Sequence, residues 1–268
     1  MRLSGSVFDA NQHPDYRITL SGGEQVLIEV KNCNDPAIEK PYRIKKDYFE
    51  KMQHYADLNK VAIKYAIYFS RFGKWTLLPP AAFTPVGNNF ETSFIQALAR
   101  SEMAILGDRT IATTPDLEFI MEAGEGAAHK VNDGKALFVA KSIRMYCAGT
   151  EIIDANEKQI AFQLMRFGEW EEVENEVVID DENVTAIRFR FSPCAPSENQ
   201  AFQMIGALSS MVTNGFKEFT VAEQGLVAIN AAVEPAEFQM LIPQNYKSDR
   251  LPLWQFEMQP NYEFIKGT

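Results

Sequence analysis

Three residues near the start of the chain have types and spacing suited to chemistry. Glu29 and Lys31 stand two apart in the run QVLIEVKN, and Asp15 immediately precedes the run YRITL. Side chains two apart on a β-strand share a face, so Glu29 and Lys31 become neighbours while Val30 turns the other way. A hairpin joining residues 16–20 to 25–30 brings Asp15 back toward Glu29, so two carboxylates and one ammonium meet at one edge of a sheet. A divalent ion such as Mg2+ (or Mn2+) prefers hard oxygen ligands, takes one or two protein carboxylates and fills its octahedron with water and phosphate oxygens. Asp15 and Glu29 meet that demand as metal ligands, with the backbone carbonyl of Val30 as a third. Bound metal lowers the pKa of a coordinated water and neutralises phosphate, and a lysine beside it orients the water or meets charge developing in the transition state. Lys31 suits that role.

The elements that must hold these residues follow from pattern. Ser21-Gly22-Gly23-Glu24 separates the two apolar runs, with glycine supplying the positive φ of a tight turn. After a polar, proline-bracketed loop at 32–41, residues 45–59 repeat apolar side chains at Tyr48, Phe49, Met52, Tyr55 and Ala56, one face of an amphipathic helix. The run VAIKYAIYF is β-branched and aromatic, RFGK is a turn and WTLL another strand, so the order is β-β-α-β-β. The tract LPPAAFTP at 78–85 reads as a linker dividing the chain into domains 1–85 and 86–268. Beyond it, Phe90, Phe94, Leu98 and Ile105 predict a helix over 88–106, with Asn88 and Glu91 as a capping box. Strands at 136–146, 177–179 and 185–191 and a helix over 197–212 capped by Ser197 predict a mixed α+β second domain.

Composition agrees with two domains: 268 residues are 46% apolar, above the usual single-domain length. The net charge is -10, yet residues 1–85 hold 12 Lys+Arg against 9 Asp+Glu and the remainder 14 against 27. On that division only the first third suits a phosphate backbone. No run approaches the roughly 20 apolar residues of a membrane span, and the opening residues lack a leader pattern, so a cytoplasmic protein with no membrane partner is expected. Cys33, Cys147 and Cys194 are too widely spaced for a zinc site, and the three histidines, His13, His54 and His129, have no ligand spacing and no nucleophile motif.

The stretch HPDYRITLSGGEQVLIEVKN, residues 13–32, resembles the signature of the PD-(D/E)XK nuclease superfamily: Pro14-Asp15 on one strand, a hairpin, then an apolar run ending in Glu29-Val30-Lys31. Residues 42–78 resemble the helix, strand and Trp-containing strand that follow this motif in archaeal Holliday-junction resolvases. The resemblance implies an α/β fold with a restriction-endonuclease-like mixed β-sheet core flanked by helices, and a Mg2+-dependent nuclease acting on DNA. It carries Asp15 and Glu29 over as metal ligands, Lys31 as the water-positioning or charge-stabilising group, and Gln53 as a helix residue facing the site. Resolvase-type cutting of two strands implies a homodimer. Family members open with a helix bearing a further glutamate, which has no counterpart in the pattern here; Glu91 or Glu102 substitutes if helix 88–106 packs on the nuclease core. Lacking that glutamate, the chain also fits a nuclease-derived DNA- or protein-interaction module without catalysis. The plainer reading of Glu29 and Lys31 is a pair of charges guarding an edge strand, and of Lys45, Lys46 and Lys51 a solvated helix face.

Overall fold

The computed structural model describes residues 13–124, 131–132, 135–136, 139–180, 183–222, 225–226 and 242–264. Residues 1–12 and His129 lie outside the described residues. The chain divides into two units, Met1–Asp108 with Glu257–Thr268, and Arg109–Phe256.

In the first unit, β1 (Tyr16–Thr19) and β2 (Gln25–Cys33) form an antiparallel hairpin with Tyr16 opposite Ile28. Gly23, at φ 85, adopts the left-handed conformation that a side chain resists, and its N–H closes the turn on the Leu20 carbonyl. β3 (Tyr42–Lys45) runs straight into α1 (Lys46–Asn59), followed by β4 (Ala62–Phe69) and β5 (Lys74–Leu78). The sheet order is β1-β2-β4-β5, with β2 and β4 parallel and Glu29 beside Tyr65. Parallel neighbours need a crossover, and the segment containing α1 supplies it. Odd-numbered residues of β2 and β4 face α1: Leu27 and Ile63 pack with Met52 and Ala56, while Tyr65 and Ile67 join Phe49. Even-numbered Val26, Ile28 and Ala66 face the other layer, with Leu77, Trp75 and Met103. The mixed sheet flanked by helices is thus the α/β class that the sequence predicts.

The first unit extends past the proline tract. Pro80–Ala82 is one 3-10 turn, Ala82 and Phe83 are buried, and the prolines end β5 without ending the domain. β6 (Thr84–Val86) and β7 (Asn89–Thr92) form a hairpin with Gly87 at φ 58, and β7 pairs with β3. The helix predicted over 88–106 is replaced by β7, the short α2 (Phe94–Ala99) and a 3-10 turn at Met103–Leu106. The reason is local: the reciprocal capping box forms between Ser93 and Gln96, while Glu91 accepts from Arg43 across the β3–β7 pair at 2.7 Å. Phe94 then stacks on Phe72 at 4.2 Å and meets Phe69 edge-on at 5.0 Å. The chain returns to this unit after Glu257. Asn261 donates its N–H to the Ala99 carbonyl at 2.7 Å, Arg100 donates to the Phe264 carbonyl at 2.9 Å, and the Tyr262 hydroxyl donates to Glu102.

This division changes the charge argument. The first unit holds 14 Lys+Arg and 14 Asp+Glu, and the second 12 and 22. The positive balance of residues 1–85 disappears.

The second unit is a mixed α+β domain. Its strands are β8 (Thr110–Thr113), β9 (Leu117–Ala123), a short pair β10 (Val131–Asn132) and β11 (Lys135–Ala136), β12 (Ala140–Cys147) and β13 (Thr150–Ile152). After α3 (Ala155–Phe167) come β14 (Glu171–Asp180), β15 (Asn183–Ser192), β16 (Gln203–Ala207), α4 (Leu208–Thr220), the short pair β17 (Val221–Ala222) and β18 (Gly225–Leu226), and β19 (Leu253–Phe256). The antiparallel sheet β13-β12-β9-β15-β14 and the sheet β16-β8-β19 share a core with Ile160 and Leu164 of α3 and Met211 of α4. The helix predicted from Ser197 begins at Leu208, because residues 203–207 are claimed by pairing with β8. Arg190 pairs with Glu174, Arg188 with Glu176, and Arg144 with Glu122 across the larger sheet. Among the described residues no helix is long and apolar enough to cross a membrane.

A fragment ending at Pro85 takes β7 from β3, Phe90 from Phe49 and Phe94 from Phe69 and Phe72. We expect it to be unfolded by far-UV circular dichroism and amide NMR dispersion; a cooperative thermal transition in that fragment would show that the proline tract does bound a domain.

Candidate active site

Glu29 lies mid-strand with β1 on one side of β2 and β4 on the other, beneath α1, and is only 2% exposed. A carboxylate taken out of water costs several kcal/mol unless charge and hydrogen bonds replace its hydration. Lys31, on the same strand face, supplies the charge through an ion pair with Glu29 Oε1. The Tyr48 hydroxyl, from the first turn of α1, donates to the same oxygen. Lys31 Nζ also donates to the Tyr48 hydroxyl at 3.3 Å and stands 4.8 Å from its ring centre, so the three side chains form a closed triangle. Glu29 Oε2 is buried with no hydrogen-bond partner among the described residues, and so is the hydroxyl of Tyr65, beside Glu29 on β4.

Proton affinities report the same crowding. Burial works to lower the Lys31 pKa, but the hydrogen bond and charge of Glu29, helped by Tyr48, raise it on balance above the ordinary lysine value. Burial first, and then Glu29, push Tyr48 and Tyr65 upward. Burial also raises Tyr42, against the lowering effect of Lys31. Lys31 is therefore a fixed cation at neutral pH.

Asp15 accepts the Val30 N–H through Oδ2 at 2.8 Å, anchoring the exposed start of β1 beside Glu29's own strand. Val30 sends its side chain to the opposite layer, as alternation predicts. The Gln53 side chain, half-buried on α1, makes no hydrogen bond among the described residues, whereas Tyr48 of the same helix bonds Glu29 directly. Glu91 is held by Arg43. Glu102 pairs with Lys64 and Tyr262. Lys64 is an even-numbered residue of β4, so this pair sits on the far side of the sheet from Glu29. His13 Nδ1 lies 3.0 Å from the Pro14 carbonyl. Sequence reading placed Tyr48 in the apolar stripe of its helix and missed its polar tip; the position of Tyr65 was recoverable from the parallel β2–β4 register alone.

Beside the site a cleft of about 400 Å³ is lined by residues including Asn32, Asn34, Lys40, Tyr42 and Arg43. Among the described residues no group of three or more His, Cys, Asp or Glu side chains is placed to hold a metal ion. A Mg2+ ion needs only one or two carboxylates when water and phosphate complete its shell, and Glu29 Oε2, without a hydrogen bond among the described residues, is an oxygen of the type such a smaller donor set uses.

No protein-family model and no curated protein matches this chain. Among solved structures, the chain is similar to Hjc, a Holliday junction resolvase from Archaeoglobus fulgidus, at 22% identity and a TM-score of 0.28, over 34% of this chain and 75% of that one.

Lys31, Tyr42, Tyr48 and Tyr65 each bind their last proton more tightly folded than unfolded. Their contribution to stability is complete below the ordinary values, 10.0 for tyrosine and 10.5 for lysine, and is lost as pH climbs through the raised folded ones. Thermal unfolding followed between pH 8 and 11.5 should show the melting point falling above about pH 10, with a shallower fall in Tyr65→Phe. Equal slopes in the two proteins would disprove the assignment for Tyr65.

Proposed function

We propose that the first unit is a metal-dependent nuclease that hydrolyses phosphodiester bonds in DNA. The observation that carries this reading is the division of labour at Glu29, which has one oxygen held by Lys31 and Tyr48 and the other buried and bare. Glu29 Oε2 and the Asp15 carboxylate would hold the ion. The Val30 carbonyl leaves its strand on the same side as the N–H that Asp15 accepts, and would be a third donor. Bound there, Mg2+ or Mn2+ would supply an acidified water and neutralise phosphate charge. Lys31 is one-quarter exposed, so its ammonium reaches from the buried carboxylate to the surface where a phosphate approaches. Its raised pKa suits a charge stabiliser and argues against a general base. The cleft lined by Asn32, Asp35, Lys40 and Arg43 carries an amide and two cations, Lys40 paired with Asp35 and Arg43 with Glu91, for which a phosphate of the adjoining strand segment would compete. Cutting two strands of a junction would bring a second copy of the chain.

A second reading is a nuclease-derived interaction module without catalysis. It is favoured by the engagement of Oε1 on both sides and by the diversion of Glu91 and Glu102 to other partners. Incubating the full chain with linear, single-stranded and branched DNA and with RNA, in Mg2+, Mn2+ or EDTA, separates the two. Metal-dependent cleavage supports the enzyme, and binding without cleavage supports the module.

For the enzyme, Glu29→Gln should abolish most Mn2+ binding in calorimetry. Lys31→Ala should keep most of its DNA affinity in Ca2+ while losing on the order of a hundredfold in single-turnover cleavage. Lys31→Arg should rescue little, since a planar fork does not replace a compact charge. A Lys31→Ala defect that vanishes at saturating protein would reassign Lys31 to binding.

A further inference from the structure

Tyr48 has an arrangement that a core-packing residue does not require. Lys31 alone is a poor partner for a carboxylate that must also bind a cation. Its ammonium has three donors on a flexible stem and is free to bridge both oxygens of Glu29, leaving neither for a metal. The Tyr48 hydroxyl has one proton and is carried on a ring with few rotatable bonds. That proton goes to Oε1, and the hydroxyl and ring face receive the ammonium on the same side, at 3.3 Å and 4.8 Å. The backbone beneath it is fixed. Lys46 N–H, two residues earlier, donates to the Asn88 carbonyl at 3.0 Å, and Phe49, one residue later, stacks between Tyr65 at 4.9 Å and Phe90 at 4.0 Å. The outcome is a carboxylate with Oε1 doubly engaged and Oε2 buried without a partner among the described residues.

Resting on the metal-site reading of Glu29, we propose that Tyr48 is a positioning residue that holds Lys31 and Oε1 together, so that Oε2 is kept for a divalent cation. Tyr48 settles a competition between lysine and metal for one carboxylate.

The test is a double-mutant cycle on the full chain, with Mn2+ affinity read by calorimetry. Tyr48→Phe keeps the ring and removes the hydroxyl; partners of this kind, once lost, typically weaken metal binding by about 10–100-fold, and that loss is expected here. In a Lys31→Met background, where the competitor is gone, the same change should have little effect. Tyr65→Phe removes a neighbouring buried hydroxyl that has no hydrogen bond among the described residues, and should leave Mn2+ affinity unchanged. Cleavage by Tyr48→Phe should recover toward wild type as Mn2+ is raised, while DNA affinity in EDTA stays constant. Tyr48→Phe with wild-type Mn2+ affinity, with or without a lower melting point, overturns the proposal, as does an equal loss in the Lys31→Met background. Wild type that binds Mn2+ but cuts nothing defeats the nuclease reading and leaves Tyr48 to stand or fall on the affinities. Wild type that binds no Mn2+ defeats both.

Discussion

A carboxylate 2% exposed beneath a helix has given up its water, and the first unit is arranged around that fact. Removing one partner of such a buried ion costs roughly 3–5 kcal/mol, a large part of the 5–15 kcal/mol that holds a typical domain together. Lys31 must therefore lie on Glu29's own strand face, and the first turn of α1 must stand above it to bring Tyr48. That turn is fixed in its turn by β3, which enters α1 without a loop, and by β7, which pairs with β3. The sheet β3-β7-β6 and the aromatic stack on Phe49 hold that turn in place. Well-packed apolar residues in place of a buried ion pair are often as stable or more so. Stability alone gives no reason to keep Glu29 charged at this place.

Electrostatics beyond the site do not favour a polyanion. The first unit has equal numbers of acidic and basic side chains, and several cations are already engaged, Arg43 by Glu91 and Lys64 by Glu102. In the second unit the arginines of β12 and β15 are matched by glutamates on neighbouring strands. Long-range attraction of a polyanion needs a surplus of positive charge, which neither unit provides. Recognition of nucleic acid by this chain would rest on short-range contacts around Lys31 and the adjoining cleft, and would depend on salt less steeply than binding by a strongly basic surface.

What was legible in the sequence was local. Period-two spacing put Glu29 beside Lys31, the Gly22-Gly23 pair announced the hairpin, and the stripe from Tyr48 to Ala56 announced α1. The errors came where two physical causes give one pattern. Proline ends strands as well as domains, and at 79–85 it ends β5 while the core continues. An apolar spacing through Phe90, Phe94 and Leu98 fits one helix, but it also fits a strand followed by a short helix, and the choice is made by β3 far upstream. Residues 203–207 are held as a strand by β8, some ninety positions earlier in the chain, which no window of local sequence contains. Tyr48 was hidden for a different reason: a tyrosine in an apolar stripe shows its ring to the pattern, while its hydroxyl acquires meaning only from the strand it meets.

The return of the chain after Glu257 means that the first unit is encoded in two pieces with the 148 residues of Arg109–Phe256 between them. A ribosome adds about 5–20 residues per second, so on the order of ten seconds separate the emergence of Glu102 from that of Tyr262. Through that interval the Glu102 carboxylate and the Arg100 guanidinium lack the partners that Tyr262 and Phe264 later supply. The second unit, continuous in sequence, is fully synthesised before the first. Completion of the first unit is thereby timed by the length of the inserted one, and damage near residue 260 is felt in the contacts with Ala99, Arg100 and Glu102.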